Sequence, residues 1–130
     1  MFRRRAFFVF ASLLFAGTLA AALTQQPAAA PRVVRVTAER FAFAPSEVTV
    51  AQGTTIEFHL KSEDTAHGFR ILGQALEVTI PKRGRGEATV TFTPPAPGSY
   101  VFECSRMCGA GHSFMRGTIR VTAPPTTAAK

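Results

Sequence analysis

The sequence predicts an all-β fold, a small antiparallel sandwich or barrel, on three observations. From Pro31 onward apolar residues alternate with polar ones at a period of two. The alternating runs are rich in Val, Ile, Phe and Thr, and Gly or Pro punctuates them. No stretch after Leu23 carries apolar residues at the three-and-four spacing of a helix.

The elements follow in chain order. "VVRVTAERFAF" alternates through Val33 or Val34, then Val36, then Phe41 and Phe43. "EVTVAQGTTIEFHL" sets Val48 and Val50 on one face, turns at Gln52-Gly53, and resumes with Ile56, Phe58 and Leu60. "ALEVTIPKRGRGEATVTF" gives Leu76, Val78 and Ile80, a Gly-rich turn from Lys82 to Gly86, then Ala88, Val90 and Phe92. Pro94, Pro95 and Pro97 force an extended connection that cannot donate to a ladder. "PGSYVFEC" supplies Tyr100 and Phe102, and "GTIRV" supplies Ile119 and Val121. These alternating apolar residues are the expected core.

Residues 1–30 have a different composition. Arg3, Arg4 and Arg5 precede an uncharged apolar run from Ala6 to Leu23, and small and polar residues follow. A basic start, an apolar middle and an Ala20-x-Ala22 cleavage point describe an export signal. At ~1.5 Å per residue the same run almost spans a bilayer core, which describes a retained anchor. Either reading puts the arginines on the cytoplasmic side and the domain outside. The expected organisation is a signal or anchor plus linker at 1–30, one domain at 31–123 and a short tail at 124–130.

The whole chain has a formal net charge of +7. Between Pro31 and Ala123 there are eleven Lys and Arg against eight Asp and Glu, so the domain itself is only mildly basic. No basic run interleaves with aromatics, which argues against nucleic acid as a partner.

The chemistry concentrates in "ECSRMCGAGHSFMRG", residues 103–117, between two predicted strands. Cys104, Cys108, His112 and Met115 fall within twelve residues, with Gly109 and Gly111 letting the backbone turn tightly. Thiolate, imidazole and thioether are soft donors that favour copper over calcium, magnesium or manganese. Of the other two histidines, His59 lies on the polar side of "IEFHL" and reads as a solvent-facing strand residue. His67, in a polar stretch just before Gly68, suits a ligand delivered from a neighbouring loop.

Each feature alone has an ordinary explanation. Two cysteines in an exported protein commonly form a disulfide, a lone methionine packs in a core, and a lone histidine sits at the surface. A mononuclear blue-copper site uses a single cysteine and would leave the second unexplained. Two thiolates bridging two copper ions use both. Each ion then takes one histidine, Met115 completes one, and a backbone carbonyl between the cysteines, at Arg106, completes the other. Three function classes stand open here: a binuclear electron-transfer site, a delivery protein with one exchangeable copper, and a disulfide-stapled structural domain.

"CSRMCGAGHSFM" together with "DTAHGF" resembles the binuclear CuA domain of cytochrome c oxidase subunit II and of nitrous oxide reductase. "RFAFAPSEVTVAQGTTIEFHLKSEDTAHGF" is similar to the first half of that cupredoxin domain, as found in short subunits II of B-type haem–copper oxidases. The resemblance covers about Val33 to Val121. It implies a cupredoxin-like Greek-key β-sandwich, after one N-terminal hydrophobic helix, and a metal site of two copper ions. Cys104 and Cys108 would be the bridging thiolates, His67 and His112 the imidazoles, Met115 the thioether, and Arg106 a carbonyl ligand. The implied activity is one-electron transfer without turnover by this chain alone. The implied donor is cytochrome c or a small copper protein, and the implied acceptor is haem–copper oxidase subunit I or another reductase.

The chain departs from the family pattern at two points. Position 106, often acidic or amide in subunit II, is Arg106, whose side chain cannot ligate a cation. The chain has no tryptophan to serve as an electron-input surface, leaving Phe69, Phe114 or Phe41 as candidates. A net-positive domain is also a poor electrostatic match for a strongly basic cytochrome c.

Overall fold

A computed structural model describes residues 29–124 as two β-sheets packed face to face. The expected N-terminal helix and the C-terminal tail lie outside the described residues. Among these, no helix is long and apolar enough to cross a membrane.

The strands are β1 (Arg32–Glu39), β2 (Ala42–Ala44), β3 (Glu47–Ala51), β4 (Ile56–Ser62), β5 (His67–Ile71), β6 (Glu77–Ile80), β7 (Ala88–Phe92), β8 (Gly98–Glu103) and β9 (Arg116–Thr122). One sheet has the order β2-β1-β4-β7 and the other β3-β9-β8-β5-β6. The predicted period of two holds where the sheets face each other. Val34, Val36 and Ala38 of β1, Val48 and Val50 of β3, and Ile56, Phe58 and Leu60 of β4 are all buried. Val33 faces out, which decides the choice between it and Val34.

The pairing departs from the antiparallel expectation. β1 runs parallel to β4, with Val34 opposite Phe58, and β3 runs parallel to β9, with Val48 opposite Ile119. Alternation fixes which face of a strand is buried but carries no information on its partner. After β2 the chain crosses to the other sheet as β3 and returns as β4, so β1 and β4 point the same way. Six residues read as core, Phe41, Leu76, Val78, Ala88, Val90 and Tyr100, are only half-buried, most of them on or beside β6 and β7, which end their sheets.

Four phenylalanines join the sheets. Phe69 packs on Phe58, Phe102 and Phe43 at ring-centroid distances of 5.2, 5.2 and 5.9 Å. Burying each ring contributes about 1.5–3 kcal/mol, and the edge-to-face and tilted contacts add to it. Phe69 lies two residues after His67 and Phe102 two before Cys104, so this aromatic cluster fixes the strands that present these two side chains. Gly117 completes the packing, since a Cβ there would lie 2.1 Å from the Phe102 ring.

Candidate metal centre

Two adjacent strands of one sheet present the centre. β5 begins with His67 and β8 ends at Glu103, with Cys104 directly beyond it. Arg70 pairs with Glu103 across β5 and β8, and Glu103 with Arg116 across β8 and β9. The buried Glu103 carboxylate accepts from Arg70 Nε at 2.9 Å and pairs with Arg116 Nε at 3.2 Å. This cross-strand row locks the three strands at the base of the loop. The Cys104 N–H donates to the Met115 carbonyl at 3.0 Å and closes the loop at its neck.

The loop Cys104–Met115 brings the expected donors together. The two sulfurs stand 3.8 Å apart, and both cysteines are buried and free. A disulfide needs about 2.05 Å between sulfurs, so the thiols are unbonded here. His67 Nδ1 lies 3.9 Å from the Cys104 sulfur, and His112 Nδ1 lies 3.7 Å from the Cys108 sulfur. The Arg106 carbonyl oxygen is 3.1 Å from the Cys104 sulfur, and Met115 Sδ is 4.0 Å from the Cys108 sulfur. Donor atoms of His67, Cys104 and Cys108 all lie within 4.8 Å of one another. Two sulfurs, two imidazoles, a thioether and a carbonyl around one small volume suit copper, and the set needs no side-chain movement to gather.

A short 3-10 turn, His112–Phe114, carries His112 back toward Cys108, an element that the period-two pattern does not reveal. Gly68 runs against the loop. Its N–H points to the Cys104 sulfur at 3.5 Å, and a Cβ there would fall 2.2 Å from Ser105 Oγ and 2.7 Å from the Arg106 nitrogen. The Phe41 ring lies beneath Gly109 and Gly111, where Cβ atoms would approach it to 2.8 and 2.3 Å. These glycines let two other segments pack against the Cys104–Met115 loop.

Neighbouring polar groups orient the candidate donors. His67 is fully buried, and its Nε2 faces Asp64 Oδ1 at 2.7 Å, leaving Nδ1 for the sulfurs. Burial alone would raise the Asp64 carboxyl. Its partners His67, the Arg40 N–H and the Thr65 N–H hold it below the ordinary value instead. Arg40 Nε donates to the Cys108 carbonyl at 2.7 Å. The Cys108 thiol is pushed up to about 11, by burial first and then by the neighbouring Cys104 sulfur. The sequence reading singled out neither Arg40 nor Asp64, although Asp64 opens the quoted "DTAHGF", three residues before His67.

The other expected residues take distinct places. His59 bonds Glu57 Oε1 at 2.6 Å on the outer side of β4, remote from the loop. Of the three phenylalanines considered for an electron-input surface, Phe69 is wholly in the core and Phe41 half-buried, while Phe114 is 82% exposed. Burial in the core rules Phe69 out as an electron-input surface.

Two layers of β-strands with a sulfur-rich, copper-compatible site at one end define a β-sandwich of the cupredoxin kind. The chain belongs to the cupredoxin-like domain family, whose pattern matches residues 9–121. It is 39% identical over 89 residues to cytochrome c oxidase subunit 2 of Thermus thermophilus, covering 68% of this chain and 64% of that one. A second subunit 2 sequence, from a named strain of the same organism, is matched over 51% of its length, so the chain spans about half to two thirds of these relatives. Among solved structures, a heme-copper terminal oxidase dimer matches with a TM-score of 0.57 and 26% identity, over 70% of this chain and 65% of that one. The periplasmic domain of subunit II of the cytochrome oxidase of Bradyrhizobium japonicum matches with a TM-score of 0.62. There 71% of this chain and 84% of that one are covered at 19% identity, which speaks for the fold.

Proposed function

We propose that this chain is an extracytoplasmic electron-transfer domain holding a binuclear copper centre, either the copper-bearing part of a cytochrome c oxidase subunit II or a stand-alone relative. The observation that carries this reading is the pair of free, buried sulfurs 3.8 Å apart, each with an imidazole of its own. A one-copper cupredoxin would have no use for the second thiolate. The 39% identity to a subunit 2 supports the same reading.

Cys104 and Cys108 would bridge the ions, with His67, His112, Met115 and the Arg106 carbonyl as terminal ligands. Bound there, copper supplies a one-electron couple. The chain contributes rigidity: the Glu103 row, the Asp64–His67 bond and the phenylalanine cluster hold the donors in one arrangement through a change of charge. A frame that does not rearrange adds little to the barrier for an electron. No substrate turnover is expected of the chain alone. Electrons would arrive from a soluble redox protein, a cytochrome or small copper protein, and leave to a haem–copper oxidase subunit I or another reductase. Residues 1–30 would export or anchor the domain at 31–123, with 124–130 as a tail.

A redox titration of the copper-loaded full chain tests the reading. One reversible electron per two copper ions, with both retained on reduction, is expected. A single ion that passes to a Cu(I) chelator on reduction would make the protein a copper-delivery cupredoxin instead.

A further inference from the structure

Two of the most exposed large apolar side chains, Met107 at 76% and Phe114 at 82%, project from the twelve-residue metal loop itself. Met107 precedes Cys108, and Phe114 stands between His112 and Met115. Apolar side chains this exposed, next to donors this well ordered, mark a contact surface.

The charge around that surface is lopsided. The turns after β1, β4, β6 and β8 meet at this end, tied by Arg40 N–H to Asp64 Oδ2 at 3.1 Å and Arg83 N–H to the Asp64 carbonyl at 3.1 Å. Between their strands they carry five basic residues, Arg40, Lys82, Arg83, Arg85 and Arg106. The acidic residues of the same turns are Glu63, Asp64 and Glu87. Asp64 is engaged by His67 and by Arg40 at 3.9 Å, and Glu63 by Lys61 at 2.8 Å and by Arg83 at 4.0 Å. Among the described residues of these turns this leaves Lys82, Arg85 and Arg106 against Glu87. Arg116, the first residue of β9, adds a further cation, and Glu103, its acidic contact among the described residues, is shared with Arg70. The apolar tip and the basic turns therefore share the end of the sandwich that carries the donors.

We infer that this end docks a soluble one-electron donor whose own redox face is acidic, seating an apolar patch on Met107 and Phe114. The inference rests on the electron-transfer reading and names its partner class. The donor is oxidised by one electron and the centre held here is reduced by one; no bond is made or broken. Opposite potentials accelerate encounter and are screened by salt, whereas a basic cytochrome would meet repulsion at the same surface.

Two soluble c-type cytochromes, one acidic and one basic at pH 7, serve as probes in two measurements. In the first, each is titrated against the metal-free full chain and binding is read by NMR line broadening. The acidic probe should bind at least about threefold more weakly when salt rises from about 20 to about 200 mM, and Arg85→Glu should weaken it further. In the second, reduction of the copper-loaded chain is followed by stopped flow. The rate with the acidic probe should fall with salt while that with the basic probe rises. Tighter binding and faster transfer by the basic probe, or binding indifferent to salt and to Arg85→Glu, would overturn the inference. Loss of the electron-transfer reading shows separately, as a loaded chain that small neutral reductants fail to reduce, and the metal-free binding still decides the partner's charge.

Discussion

Arg40 Nε donates to the Cys108 carbonyl oxygen at 2.7 Å, while the Arg40 backbone N–H donates to Asp64 Oδ2, whose other oxygen faces His67. One residue of the β1–β2 turn thus holds a cysteine of the metal loop and the carboxylate that orients the first histidine. Arg40→Gln keeps the backbone donor and removes the guanidinium. The lost bond is worth about 1 kcal/mol, or about a fivefold rise in copper release. Metal-exchange kinetics with a chelator check this, and the thermal midpoint of the metal-free chain should move little.

Gly68→Ala should be far more damaging than its size suggests. The new methyl would meet the Ser105 hydroxyl, which can rotate, but also the Arg106 and Ser105 nitrogens at 2.7 and 2.9 Å, which cannot. Relieving that overlap costs about 1–3 kcal/mol and displaces the backbone bearing the Arg106 carbonyl. A lower thermal midpoint together with an altered copper absorption spectrum is expected.

Met115→Leu separates packing from ligation. Met115 is fully buried, and a leucine of similar volume costs less than about 1.5 kcal/mol. The chain should still hold two coppers, with a shifted potential by protein-film voltammetry. An unchanged potential would remove Met115 from the ligand set.

Copper uptake should tighten as pH rises. At neutral pH the Cys108 thiol, pushed up to about 11 by burial, is protonated, and a metal ion must displace that proton. Competition against a chelator of known pH dependence should show affinity rising about tenfold per pH unit for each thiol proton released. Proton release on loading, measured in weak buffer, gives the same count independently.

Cys104→Ser and Cys108→Ser should each abolish the binuclear spectrum, whereas His59→Ala should leave it untouched. His59 is committed to Glu57 on the outer face of β4, so its removal costs a half-exposed pair and nothing at the loop. A changed spectrum in His59→Ala would mean that the wrong histidine carries the first imidazole.

Much of this architecture is legible in the chain because faces are local. Val36, Phe58 and Ile119 announce their burial through their neighbours at a spacing of two. The donors are legible for the same reason, five of the six lying within Cys104–Met115. Partnership is not local: the parallel pairing of β1 with β4 depends on where β3 crosses over, which alternation cannot express. Arg40 and Phe41 were read as part of a strand, and only the fold brings them against Cys108, Gly109 and Gly111. His67 lay between these cases, since its loop was visible but its contact with Cys104 spans 37 positions.

The most direct measurement is copper stoichiometry combined with EPR on the copper-loaded full chain. Two copper ions per chain sharing one unpaired electron is the predicted result, and it would place Cys104 and Cys108 between two metals. One copper with a mononuclear signal, or none with the two thiols oxidised to a disulfide, would contradict it.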